Sequence, residues 1–154
     1  MTALLTAIVI WLSANFDLPA IHDHPQVELV PAVRMATLRY RGLATDRQPP
    51  RATANTDAPL ASGQDVLAVY DDTKRILYLP EGWTGTTPAE LSVLVHEMVH
   101  HLQNVAGLKF ECPQAREKPA YAAQDKWLGL FGKNFSEEFE IDPMTILVRT
   151  NCMF

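Results

Sequence analysis

The sequence predicts a single α+β domain in which a small sheet packs against helices. Its 154 residues are 47% hydrophobic, which suffices for one core, and the chain is too short for two ordinary domains. Short runs of β-branched and aromatic residues between turn residues indicate strands. Longer segments with apolar residues at helical spacing indicate helices.

Charge and hydropathy exclude two classes of partner. Thirteen basic and eighteen acidic side chains give a net charge of -5. The sequence has no run of Lys or Arg that could bind a phosphate backbone. Nucleic acid is therefore not an expected partner. No stretch approaches about twenty consecutive apolar residues, so a membrane-spanning helix is not expected either.

The first twenty residues, "MTALLTAIVIWLSANFDLPA", have the layout of a secretory signal segment. An apolar run is followed by small and polar residues, as at a cleavage zone. The positive charge expected at the start is missing, since no Lys or Arg precedes Arg34. We expect a signal-like segment over 1–20 and a periplasmic or secreted protein. The alternative is a first helix packed in the core of a cytoplasmic protein.

The chain has two cysteines, Cys112 and Cys152. An even pair in an exported domain often forms one bridge, so a disulfide between them is a candidate. The alternative is a pair of buried free thiols.

A strand and a helix are expected next, followed by a loop. "VELV" suits a short strand, and the apolar spacing after Pro31 suits an amphipathic helix that stops near Gly42. Residues 44–64 are rich in Pro, Thr, Ala, Asp and Asn, which is typical of a long exposed loop. "DVLAVY" and "RILYLP" then flank "DDTK", a gap of hairpin length, so we expect two antiparallel strands at the edge of the sheet.

The following helix has clear start and stop signals. Thr87 suits the N-cap, Pro88 the first helical position, and Glu90 completes a capping box, while Gly107 is the matching stop. At 100° per residue the helix has two sides. The apolar side carries Leu91, Leu94, Val95, Met98, Leu102 and Val105, and the other side carries His96, Glu97, His100 and Asn104.

"HEMVH", His96 to His100, has the spacing of a metal-binding helix. Imidazoles at i and i+4 can converge on one ion, with zinc bonds of about 2.0–2.1 Å. Glu97 points about 100° away around the axis, so it suits a base that takes a proton from water better than a third ligand. The simplest alternative is a pair of solvated histidines on a polar helix face.

This motif, following a hairpin, resembles the zincin metallopeptidases. No third histidine follows soon after Gly107, unlike in the metzincin branch. Glu117 with Ala120 three residues later, in "CPQAREKPAYAAQDKWLGLFG", is similar to the E-x-x-A pattern on the second helix of the gluzincin-like branch. Glu111 is the less favoured alternative. Pro119 departs from an ideal helix, so the second helix is expected to start near Glu117 or to bend.

The resemblance implies a minimal zincin-like metallopeptidase domain over residues 21–154, with Zn²⁺ bound by His96, His100 and Glu117. Glu97 would be the general base, and a peptide or protein would be the substrate. Three further residues are candidates for a transition-state donor or for contacts behind the ligands: Tyr121, His101 and Asn104. By the same resemblance, "RILYL" would be an edge strand that pairs with extended peptide.

The sequence is therefore compatible with three functions. The first is a zinc-dependent hydrolase, most simply a peptidase. The second is a non-catalytic zinc-binding scaffold or interaction domain, because a chain this short leaves little sequence for a deep cleft. The third is a structural domain whose polar helix face meets solvent.

Overall fold

The computed structural model describes residues 1–43 and 68–152, which form an α+β arrangement of helices around a small mixed sheet. The predicted loop at 44–64 lies outside the described residues. The elements in chain order are α1 Thr2–Phe16, β1 Gln26–Val30, α2 Ala32–Leu43, β2 Val69–Asp71, β3 Ile76–Pro80, α3 Pro88–Val105, α4 Pro113–Gly129, α5 Phe135–Glu138 and α6 Pro143–Thr150.

The sheet has the strand order β1-β3-β2. β2 and β3 form the expected antiparallel hairpin, with Tyr70 opposite Leu77. β1 pairs with β3 in parallel, with Gln26 opposite Ile76. The expectation that "RILYL" is an edge strand is wrong, because β3 pairs on both sides. β1 and β2 are the edges.

Side chains of β3 alternate between the two faces of the sheet, as the pleat requires. Leu77 and Leu79 enter the main core, which the helices α1, α3 and α4 complete. Tyr78 enters a smaller cluster on the opposite face with Val30 and Met35 of α2. The sheet therefore separates α2 from α3, the helix that carries His96 and His100.

Helix α1 contributes to the main core. Four of its side chains are buried: Leu5, Ile8, Val9 and Leu12. Trp11 lies edge-on against Trp127 of α4, with ring centroids 5.0 Å apart. The segment is thus helical and packed in this structure, while the signal-like function of residues 1–20 stays a prediction.

Helix α3 is buried on nearly every side, since it packs against α1, α4 and β2. The alternative that placed the histidines of the motif in solvent is wrong, because His96 and His100 are buried. His101 and Gln103, each 1% exposed, are buried as well. α4 and β2 cover this side, so its polar groups must find partners within the protein.

Helix α4 begins at Pro113 and runs through Pro119. A start near Glu117 is therefore wrong. Pro113 occupies the first helical position, directly after the extended Cys112. Proline suits this position because the first N–H groups of a helix have no acceptor within the helix. Glu117 lies on the second turn of the helix, facing α3.

Candidate metal centre

The ends of α3 are fixed by the signals that the sequence predicts. The Thr87 hydroxyl accepts from the Glu90 amide at 3.1 Å, and the Glu90 carboxylate accepts from the Thr87 amide at 3.2 Å. At the other end the amides of Gly107 and Leu108 donate to Asn104 and Gln103, each at 3.0 Å. Gly107 has φ +64°, a conformation that glycine adopts without strain. Because both ends of the helix are fixed, the positions of its histidines along the helix axis are fixed as well.

The side chains of His96, His100 and Glu117 converge. The Nε2 atoms of the two histidines are 3.2 Å apart. Glu117 Oε2 lies 3.2 Å from His96 Nε2, and Glu117 Oε1 lies 3.3 Å from His100 Nε2. One ligand atom from each residue falls within 4.8 Å of the others, so the three form a group that could hold a metal ion.

This donor set fits zinc in number, chemistry and spacing. Two imidazole nitrogens and one carboxylate are the ligands of several catalytic zinc sites. With bonds of about 2.0 Å, neighbouring ligands of a tetrahedral ion are about 3.3 Å apart. The separations of 3.2 and 3.3 Å in the group match that edge.

Each histidine has a glutamine at its other ring nitrogen. His96 Nδ1 is 3.1 Å from Gln124 Oε1, and His100 Nδ1 is 3.0 Å from Gln103 Oε1. Gln124 comes from α4, and Gln103 lies three residues after His100 on α3. Groups in this position orient metal-binding imidazoles in general.

Glu117 supplies the acidic member of the group, and Glu111 does not. Burial would raise the pKa of Glu117, but hydrogen bonds with His100 and His96 outweigh it and hold that pKa well below its usual range. Glu117 is therefore a carboxylate at neutral pH. Glu111 is exposed in the turn before α4, outside the group.

Glu97 lies on the side of α3 that faces β2. Its Oε2 accepts a hydrogen bond of 2.9 Å from the backbone N–H of Tyr70. Burial raises the pKa of Glu97 to about 7. The nearby His96 and the hydrogen bond from Tyr70 lower this pKa, but burial outweighs them. Glu97 is not a member of the converging group, which agrees with the separate position predicted for it around the helix axis.

Two other candidate residues, His101 and Asn104, meet at the side chain of Tyr70. His101 Nδ1 is 3.0 Å from the Tyr70 hydroxyl, and Asn104 Nδ2 donates to the same hydroxyl at 2.9 Å. His101 Nε2 also lies 2.5 Å from the carbonyl oxygen of Asp23. Both residues therefore fasten β2 to α3 at Tyr70, the residue whose backbone N–H donates to Glu97.

An ion pair joins α4 to the β2–β3 turn. The Arg116 guanidinium forms a two-pronged contact with the Asp72 carboxylate. Arg116 also donates from Nε to Gln103 Oε1 at 3.1 Å, and from a terminal nitrogen to the His100 carbonyl at 3.3 Å. The residue before Glu117 is thus held against the helix that carries both histidines.

Tyr121, one turn after Glu117, packs edge-on against His96 with ring centroids 4.7 Å apart. Burial raises the pKa of Tyr121, and the nearby Arg149 of α6 opposes the rise. The other side of Tyr121 borders a cavity of about 320 Å³ between α4, α5 and α6. Tyr121 therefore separates this cavity from the histidines.

The two glutamines and Arg116 were not predicted from the sequence. A signal for Gln124 existed, because positions 117, 120 and 124 recur at helical spacing and place it on the same face as Glu117 and the buried Ala120. Gln103, directly after the motif in "HHLQ", carried a weaker signal. Its partner Arg116 lies on another helix and could not be assigned from spacing.

Cys112 and Cys152 form a disulfide with a Cα–Cα distance of 5.9 Å. The bridge joins the start of α4 to the segment after α6. Disulfides persist mainly in oxidising compartments, so this one hints at an extracytoplasmic location. No helix among the described residues is both long and apolar enough to cross a membrane.

Comparison with known proteins identifies a family for this chain. No curated protein and no solved structure is significantly similar to this chain. One family model, described as a domain of unknown function, matches residues 1–154. The chain therefore belongs to the DUF6647 family.

Proposed function

We propose that the protein is a zinc-dependent hydrolase that cleaves peptide bonds. One observation carries the proposal: the two histidine nitrogens and Glu117 meet at the spacing of zinc ligands, with Glu97 next to the first histidine. The resemblance to zincins agrees with this arrangement. A peptide or protein is the proposed substrate.

In this proposal His96, His100 and Glu117 hold the ion. Zinc bound in this way would act as a Lewis acid and would lower the pKa of water to about 7. Glu97 takes a proton from water as the carbonyl carbon is attacked, and it delivers that proton to the leaving amine. The backbone N–H of Tyr70 orients Glu97 for both transfers, because it fixes one carboxylate oxygen, while no hydrogen bond from a described residue occupies the other.

Tyr121 is the proposed donor to the oxyanion of the reacting carbonyl. Its ring lies against His96, and a tyrosine hydroxyl is one of the side-chain donors that stabilise oxyanions in enzymes. His101 and Asn104 are proposed as supports for β2 rather than as donors, because both bond to the Tyr70 hydroxyl.

The non-catalytic zinc scaffold is the second candidate. The hydrogen bond from Tyr70 to Glu97 favours it, since a carboxylate that fastens a strand to a helix has a structural use without any reaction. Both candidates predict one zinc per chain. They differ in what Glu97 does.

The test is hydrolysis of a mixed peptide library by the purified protein, combined with elemental analysis. We expect one zinc per chain and cleavage that chelation abolishes. Glu97→Gln should keep the zinc and lose at least about a hundredfold in rate, since general-base catalysis contributes about 10²–10⁴-fold. The exposed Glu111→Gln is the matched control and should match the parent. Zinc binding without cleavage in the parent would favour the scaffold, and no zinc would contradict both.

The proposed location is the periplasm or the cell exterior. The disulfide and the signal-like residues 1–20 support it. Fractionation of cells that express the full chain, with and without this segment, would test the location.

A further inference from the structure

The ring nitrogens of His96 and His100 that face away from Glu117 are in contact with two buried amides. Gln103 is 1% exposed and Gln124 is 4% exposed. An amide has a donating end and an accepting end, so its orientation decides which ring nitrogen carries the proton. The neighbours of each amide determine that orientation.

Arg116 determines the orientation of Gln103. The guanidinium can only donate, and its Nε lies 3.1 Å from Gln103 Oε1. Gln103 Nε2 in turn donates to the Arg116 carbonyl at 3.0 Å. A rotated amide would bring donor against donor and acceptor against acceptor. The atom 3.0 Å from His100 Nδ1 is therefore the Gln103 oxygen, and His100 Nδ1 must carry the proton.

Ser92 determines the orientation of Gln124 in the same way. The single Ser92 hydroxyl proton goes to the Ala89 carbonyl at 2.8 Å, so Ser92 Oγ can only accept from its other neighbour. That neighbour is Gln124 Nε2 at 3.4 Å. Gln124 Oε1 thus faces His96 Nδ1 at 3.1 Å, and this nitrogen also carries the proton.

We propose that Gln103 and Gln124 are positioning residues for the metal, held in orientation by Arg116 and Ser92. They keep both imidazoles as Nδ1–H tautomers, so that both Nε2 lone pairs point at the place where the histidines meet Glu117. The inference rests on the proposed metal binding but not on hydrolysis. Arg116 on α4 orients Gln103, and Ser92 on α3 orients Gln124, so the two assignments are independent of each other.

The amides orient the histidines without adding negative charge. A glutamate at position 124 could accept the same hydrogen bond from Nδ1–H, because its second oxygen would face the Ser92 hydroxyl, whereas a leucine of similar size could not accept it at either position. Contacts of this kind are worth about 10–100-fold in metal affinity. The pair of substitutions therefore separates the hydrogen bond from the packing of the side chain.

The test is zinc affinity of the full chain, measured by competition with a chromophoric chelator. We expect Gln103→Leu and Gln124→Leu each to weaken zinc binding about 10–100-fold, and Gln124→Glu to stay within about tenfold of the parent. Gln114→Leu is the matched control on α4, and no hydrogen bond among the described residues joins Gln114 to either histidine. It should bind zinc as the parent does. Parental affinity in both Leu variants would overturn the proposal.

A second measurement on the zinc-loaded parent needs no variant to fold. In ¹H–¹⁵N spectra of the imidazoles, we expect two N–H signals that belong to Nδ1 and exchange slowly with water. Signals on Nε2 instead would overturn the proposal while leaving zinc binding intact. A parent that binds no zinc at all would overturn this inference and the proposed function together.

Discussion

At the scale of single residues, Glu117 closes the candidate site. It is the one member of the group that comes from α4, and each of its oxygens lies near a different histidine. His96 and His100 alone would leave two neutral ligands and no compensating charge beside a divalent ion. The acidity of Glu117, set by those same histidines, supplies that charge at neutral pH.

Removal of this carboxylate gives the first prediction. Glu117→Ala should lower the zinc content of protein purified at limiting zinc from one per chain to well below one. Two imidazoles remain, and they lack the third ligand of a stable site. Elemental analysis is the measurement, and Glu111→Ala is the control, because Glu111 is exposed and outside the group. Full zinc content in Glu117→Ala would place the third ligand elsewhere.

At the scale of elements, the start of α3 determines how the histidines are presented. The Glu90 carboxylate accepts hydrogen bonds from Thr84, Thr86 and Thr87. Desolvation would raise the pKa of Glu90, but the hydrogen bonds from Thr84 and Thr87 outweigh it and lower the pKa to about 2 from 4.5. The loop from β3 into α3 is thus built around one side chain.

Glu90→Ala should lower the free energy of unfolding by about 1 kcal/mol at pH 7, as loss of a capping interaction does. Since folding lowers this pKa, the contribution is complete above pH 4.5 and fades as the pH falls toward 2. Urea unfolding at pH 7 and at pH 3 measures it, with the exposed Glu81→Ala as control. An equal difference between Glu90→Ala and the parent at both pH values would contradict the assignment.

Helix α1 supports a separate prediction about the core. Ile8→Ala should lower the free energy of unfolding by about 2–5 kcal/mol, because it removes a fully buried side chain and leaves a cavity. Ile10→Ala, two residues on, should change it by less than about 0.5 kcal/mol. Ile8 is 0% exposed and Ile10 is 57% exposed. Chemical denaturation of both variants is the measurement, and equal effects would contradict the packing of α1.

The sequence predicts most of the elements and only part of their arrangement. The bounds of α3 follow from Thr87, Glu90 and Gly107 because caps and stops are local signals. The hairpin follows from the short gap between its strands. The parallel pairing of β1 with β3 joins residues about fifty positions apart, and no local pattern specifies it. The burial of both sides of α3 was missed for the same reason, since α4 and β2 create it.

At the scale of the whole molecule, the disulfide ties the last described segment to the start of α4. Cys112 and Cys152 are 40 residues apart and enclose α4, α5 and α6. In the chain-entropy account, a loop of this length contributes about 4 kcal/mol by restricting the unfolded chain. The bridge leaves the unfolded state with fewer conformations, and it touches none of the three candidate ligands.

Cys112→Ser combined with Cys152→Ser should therefore lower the free energy of unfolding by about 2–4 kcal/mol. Zinc content of the folded variant should stay at the parental value, because His96, His100 and Glu117 are unchanged. Thermal unfolding with and without dithiothreitol is the measurement. The reductant should destabilise the parent and leave the double variant unaffected, and an unaffected parent would contradict a stabilising bridge.

The burial of α1 also bears on the order in which the chain is made. During synthesis, Thr2–Phe16 leaves the ribosome well before the helices it packs against, which end at Val105 and Gly129. Until those helices emerge, the side chains of Leu5, Ile8 and Val9 have no interior to enter. A nascent chain therefore displays the apolar face that its finished form conceals.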